Sequence, residues 1–115
     1  MHTFPAIGPV DTLGRLLHED DAAAQLALSM SRVEAALAAA GRSTAELRAL
    51  RVLTTDRRGL DQVYDVLTER LDALGIDPVV TVEVARLPVP GMVVALVAAA
   101  ADVRAPAARA GVEPS

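Results

Sequence analysis

Met92–Ala101 is a run without a single charged or polar side chain. Successive residues of a strand point to opposite sides, so a strand made from this run has no face suited to water. Upstream stands Thr81-Val-Glu-Val-Ala-Arg-Leu-Pro88, β-branched and alternating, then the turn residues Val89-Pro-Gly91. The whole reads as strand, tight turn, strand. An antiparallel sheet commonly leaves one face in water. A strand apolar on both faces, over Met92–Val103, implies helices on one side and another subunit on the other. The run is too short for a membrane crossing, which needs about 20 apolar residues.

A chain of 115 residues holds one domain and one core. Its apolar fraction is 52% but its aromatic fraction only 2%, so that core is built of Ala, Val and Leu. Small side chains bury little area each, at about 25 cal/mol per Å². Two arrangements satisfy this, a compact Ala-rich monomer or subunits that bury area against one another; the second is the expectation. There is no cysteine, hence no disulfide framework and no thiol chemistry. Met1-His-Thr-Phe-Pro lacks the charged start and apolar core of a signal peptide, and the expected location is the cytoplasm. The net charge is −4 and every basic residue other than histidine is Arg, with no Lys. Nonspecific nucleic-acid binding requires clustered positive charge; Arg57-Arg58, the only adjacent basic pair, reads as a solvated loop.

Along the chain, Ala6–Pro9 has turn character and Leu13–Leu17 is a candidate abbreviated strand. Asp20 or Asp21 offers an N-cap to a helix whose Leu26, Met30, Val33 and Leu37 share a face, with Ala23 and Ala27 close to it. Gly41 supplies a left-handed stop. Ser43-Thr-Ala-Glu46 has the form of a capping box with room for one turn only. Leu47–Thr54 alternates, with Leu47, Ala49, Arg51 and Leu53 on one face and Arg48, Leu50, Val52 and Thr54 on the other. Both faces carry apolar residues, so this strand is expected to be covered on both sides. A second helix carries the stripe Leu60, Val63, Tyr64, Leu67, Leu71 and Leu74, with Asp61, Asp65, Glu69, Arg70 and Asp72 largely away from it, and Gly75 ends it. Val79–Arg86 is the next strand. Residues 1–103 are expected to form the domain and 104–115, Ala-, Pro- and Arg-rich, a fraying tail.

The segment Val82-Glu-Val-Ala-Arg-Leu-Pro88 resembles the C-terminal signature of the RidA/YjgF family. Ala6-Ile-Gly-Pro9 is similar to the family's N-terminal motif. Asp21–Gln25 and Val33–Gly41 resemble its first helix, and Val52–Asp56 with Leu60–Val63 its strand and second-helix start. The resemblance covers most of the chain. It implies an α+β, chorismate-mutase-like fold, a mixed β-sheet with two helices packed on one face and three such sheets closing into a trimeric barrel. It also implies a small trimeric enzyme that hydrolyses reactive enamines and imines in clefts between subunits, without a cofactor.

The departures from the family lie at its ligand-gripping positions. Its tyrosine after Gly-Pro falls at Val10, its asparagine in the second helix at Tyr64, and the arginine that pairs with a substrate carboxylate at Val79. The glutamate that positions the hydrolytic water falls at Val94, and the serine-glycine segment before the first helix has no counterpart. The stretch from Pro9 to Asp21 is short, so a strand of the first hairpin is missing or minimal. A carboxylate moved from water into an apolar cleft without a cation costs several kcal/mol. A cleft lined by Val10, Tyr64, Val79, Thr81 and Val94 is therefore expected to reject charged imines and to take a small neutral or apolar molecule.

Each residual polar group has a plainer role beside the functional one. Thr81 lines the cleft or is an ordinary strand threonine; Glu83 is a catalytic proton acceptor or a salt-bridge partner; Tyr64 contacts ligand or packs in the core. His18-Glu19-Asp20-Asp21 has the look of a metal or acid–base cluster, yet acidic residues also suit a helix start, and with His2 the only other histidine no metal site is expected. Three functions follow: a homotrimeric small-molecule binder, a divergent enamine or imine hydrolase or tautomerase using Thr81 or Glu83, or a structural partner subunit.

Overall fold

The computed structural model describes residues 2–56 and 60–101. The elements are β1 (His2–Thr3), α1 (Ala22–Ala39), a 3₁₀ turn (Thr44–Glu46), β2 (Leu47–Thr54), α2 (Leu60–Leu74), β3 (Val79–Val84) and β4 (Val94–Ala100). They make one mixed sheet in the order β1-β4-β2-β3, with the two helices on one face. The tail at 104–115, Arg57-Arg58 and the side chain of Leu60 lie outside the described residues.

Helix α1 starts where Asp21 accepts a hydrogen bond from the Ala24 N–H at 3.1 Å. It buries Leu26, Met30, Val33 and Leu37 along one face, while Ala27 is exposed. It ends in a Schellman motif. Gly41 has φ 72°, its N–H reaches the Ala38 carbonyl at 3.0 Å, and the Arg42 N–H reaches Leu37 at 2.8 Å. Helix α2 ends the same way, with Gly75 bonded to Asp72 and Ile76 to Leu71. The Ser43 hydroxyl accepts from the Ala45 N–H at 3.1 Å, and a single 3₁₀ turn follows, as its length allows.

The expected β3–β4 hairpin does not form. β3 pairs with β2 in parallel, and β4 pairs with β2 on its other side, antiparallel. A parallel pair needs a long crossover, which α2 supplies, and this puts β3 at the sheet edge. The Pro- and Gly-containing segment 85–93 is therefore an arch over the end of β2. It is pinned on either side of that strand, the Ala85 N–H to Thr54 O at 2.8 Å and the Thr55 N–H to Val93 O at 3.2 Å. The apolar run becomes the interior strand β4 because it has partners on both edges, β1 and β2.

Two further readings are corrected. Leu13–Leu17 forms no strand; a single bridge joins Val10 to Leu16 around a turn held by Asp11. Instead, the very start of the chain covers β4, through His2↔Ala100, Thr3↔Ala99 and Ile7↔Leu96. Leu47 does not share a face with Ala49, because a register shift between them turns Leu47 into the core. Beyond the shift, Leu50, Val52 and Thr54 are buried beneath the helices as the alternation requires. The core joins these to Leu26, Met30, Val33, Leu37, Val63, Leu67, Leu71, Val94, Leu96 and Ala98. Among the described residues no helix is long and apolar enough to cross a membrane.

Candidate functional site

The sheet face away from the helices carries a three-by-three array set by strand register. Its rows are Val79–Ala49–Ala99, Thr81–Arg51–Val97 and Glu83–Leu53–Ala95. Arg51 is the central position. It sits directly across from Thr81 and diagonal to Glu83, a spacing long side chains bridge. The Arg51 Nη2 lies 3.2 Å from Glu83 Oε1, both side chains about half exposed at 52% and 55%. Val79, 67% exposed, stands beside them. In a lone chain such an ion pair contributes little, about 0–1 kcal/mol. Its significance is electrostatic, since the cation on this face is already matched by an anion.

At the end of the sheet, a second arrangement ties the arch to the start of α1. Gln25 is completely buried. Its Oε1 accepts from the N–H groups of Val93 (2.8 Å) and Val94 (3.2 Å). Its Nε2 donates to the carbonyls of Gly91 (2.8 Å) and His18 (3.0 Å). The Gly91 carbonyl also receives the Asp20 N–H at 3.0 Å. To make these contacts His18 and Asp20 adopt left-handed backbone, φ 57° and 59°, at about 1–3 kcal/mol each. Gly91, φ 84°, lies so close to Glu19 that an added Cβ would stand 2.5 Å from its Cγ. Beside this junction runs an open groove of about 540 Å³ lined by Asp20, Thr55, Arg86, Pro90 and Met92, among others.

The expected site residues separate into four places. Val79, Thr81 and Glu83 share the open face. Val94 is on the opposite face, 0% exposed beneath the helices and paired with Thr54. Val10 is half-buried in the N-terminal turn. Tyr64 is not in the core stripe; it is 53% exposed and lines a cleft of about 180 Å³ with Thr68, Asp72, Asp77 and Val80. Neither that cleft nor the groove at the arch includes Val10, Val79, Thr81 or Val94. Glu83 is paired with Arg51. Among the described residues no three His, Cys, Asp or Glu side chains cluster as metal ligands; Asp21 of the acidic run caps α1.

Arg51 stands in the sequence as a cation between apolar residues two positions away on either side, a candidate to turn into the place left at Val79. Gln25 was visible as a polar residue next to the Leu26 stripe, but nothing local announced its four partners.

The Asp11 carboxyl is held below its ordinary value of 3.8, chiefly by the hydrogen bond from the Arg15 backbone N–H; desolvation, the next largest effect, opposes this, and the Arg15 guanidinium and the Leu13 N–H add to the lowering. This anchors the turn that replaces the first hairpin.

Residues 7–102 match the family model described as Endoribonuclease L-PSP. No curated protein sequence matches significantly. Among solved structures, Escherichia coli TdcF with bound serine is similar at 25% identity and TM-score 0.76, over 88% of this chain and 80% of that one. The E. coli YjgF gene product superposes with TM-score 0.75 at 24% identity, covering 86% and 78%. Rv2704 of Mycobacterium tuberculosis, a member of the YjgF/YER057c/UK114 family, gives 0.67 at 24%, covering 87% and 77%. The two helices over one face of a mixed sheet, the signature that runs from β3 into the arch, and these matches together place the chain in the Endoribonuclease L-PSP family, that of YjgF and RidA.

Proposed function

We propose that this chain is a cytoplasmic homotrimer that binds a small neutral or apolar molecule in clefts between its subunits, and that it lacks the family's deaminase activity. The observation that carries the reading is the open sheet face. Val79 occupies the position of the family's carboxylate-gripping arginine, and the nearby cation, Arg51, is engaged by Glu83 at 3.2 Å. A charged acid arriving there meets a site without spare positive charge, and desolvating it costs several kcal/mol. The rest of the array is Ala, Val and Leu with one threonine, surface that accepts an uncharged molecule.

The trimer is supported by the same face. Thr81, Val97 and their neighbours belong to interior and edge strands, yet no helix covers this side. Of the expected ligand positions, Val94 is buried beneath the helices, while Val10, Tyr64 and Val79 are dispersed within one chain; adjacent subunits are what would bring these three to a common cleft. The enzymatic alternative asks Glu83 to act on a ligand while it is engaged in an ion pair with Arg51. Ribonuclease activity is disfavoured, since a net charge of −4 works against binding an RNA backbone.

The test is a thermal-shift series on the wild-type protein with matched neutral and acidic ligands, isobutyramide against isobutyrate and benzamide against benzoate. A ligand that prefers the native state raises the melting temperature. Neutral members raising it while their acids do not is the expected result; the reverse order rejects the reading.

A further inference from the structure

Arg51 stands out among the described side chains of the open face as the one cation in the array, and every position around it is occupied. Ala49 and Leu53 flank it along β2, Val97 lies across on β4, and Thr81 across on β3. Of these, only Thr81 has a polar side chain. The anion comes diagonally, from Glu83 on the edge strand. A guanidinium presents five N–H donors in a planar fork that suits a carboxylate. The ion-pair contact, Nη2 to Oε1 at 3.2 Å, engages one of the two outer nitrogens.

We infer that Glu83 is a specificity-determining residue that acts as an internal substitute for a ligand carboxylate: it balances the charge of the Arg51 guanidinium, and neutralising it converts the open face into a site for small aliphatic monocarboxylates. The inference rests on the preceding reading that ligands reach this face. Its physical basis is the imbalance left when one member of a charge pair is removed. An uncompensated cation on a face of low polarity attracts an anion strongly, more so as the face is covered and water is displaced. The vacant acceptor position is then closed by a ligand carboxylate whose aliphatic body lies on Leu53, Val97 and Val79. Thr81 supplies a hydroxyl donor beside it. Glu83 is well placed for such a role because it is half exposed and sits on an edge strand, so its replacement disturbs no core contact.

The experiment titrates isobutyrate at constant ionic strength into wild type, Glu83→Gln and the double variant Arg51→Met/Glu83→Gln, following backbone amide NMR shifts. Glu83→Gln is expected to bind isobutyrate at least tenfold more tightly than wild type, with the largest shifts around Arg51 and Thr81, and the double variant to lose that gain. Equal affinity of Glu83→Gln and wild type overturns the inference, as does an undiminished gain in the double variant. Should Glu83→Gln not fold, Glu83→Thr, which suits an edge strand, carries the same expectation. Failure here is distinct from failure of the binding reading, which is decided by isobutyramide on the wild-type protein.

Discussion

The Gln25 side chain and the Gly91 carbonyl, 66 positions apart, meet at 2.8 Å. Through that amide the first turn of α1 holds the arch at a fixed height above β2. Four backbone groups, those of His18, Gly91, Val93 and Val94, depend on this one buried side chain.

Gln25→Ala should therefore be costly. A buried backbone group left without a partner costs about 1–3 kcal/mol, and water entering the vacated space recovers part of it. A loss of about 2–4 kcal/mol in urea-unfolding free energy is expected. Gln25→Glu should not rescue it, because a carboxylate keeps the contacts to Val93 and Val94 but turns an acceptor toward two carbonyls.

Exposure separates two neighbours on α2. Val63 is 3% exposed and Tyr64 53%. Val63→Ala should cost ~2 kcal/mol as buried methyl groups are lost, whereas Tyr64→Ala should stay within about 0.5 kcal/mol, the range of ordinary surface changes. Denaturant melts of the two variants check this.

How far these features could be read from the sequence follows from how local their causes are. Both helices, their glycine stops, the Asp21 cap and the single turn after Ser43 depend on neighbours within a few residues, and all are in place. Tyr64 belonged to the readable part as well. Its next turn carries Thr68 and then Asp72, a polar row, while Val63, Leu67, Leu71 and Leu74 continue the buried one. The β3–β4 hairpin was misread because Pro88, Pro90 and Gly91 announce a change of direction and not the distance travelled. The insertion of β2 between the strands is a property of the whole sheet. Leu47 went astray for a similar reason, since one shifted residue reverses faces. Of the candidate site, the shared face of Val79, Thr81 and Glu83 follows from their spacing of two; the pairing of Arg51 with Glu83 needed the β2–β3 register.

The Asp11 turn should show a weak acid dependence of definite sign. Its carboxyl titrates below 3.8 in the folded chain because Arg15 binds the ionised form. A lowered folded value stabilises the protein at pH above the unfolded value and loses that contribution as pH falls through the folded one. The stability difference between wild type and Asp11→Asn should be constant near neutrality, shrink below about pH 4, and flatten once the carboxyl is protonated in both states. Urea melts across that range measure it.

The proposed self-association through the open face has a direct consequence. Val97→Arg places a second guanidinium beside Arg51 on a surface proposed to be covered, where like charges are costly. Sedimentation velocity should find wild type as a trimer and the variant mainly as a monomer, with the far-ultraviolet circular dichroism retained. A variant that stays trimeric would locate the interface elsewhere.

The most direct trial is imine hydrolysis by the wild-type protein, with iminobutanoate generated in situ and its absorbance followed against a buffer control. With Val79 in place of the cationic grip and Arg51 held by Glu83, the decay should match the control. Acceleration that disappears in Glu83→Ala or Arg51→Met would contradict the account.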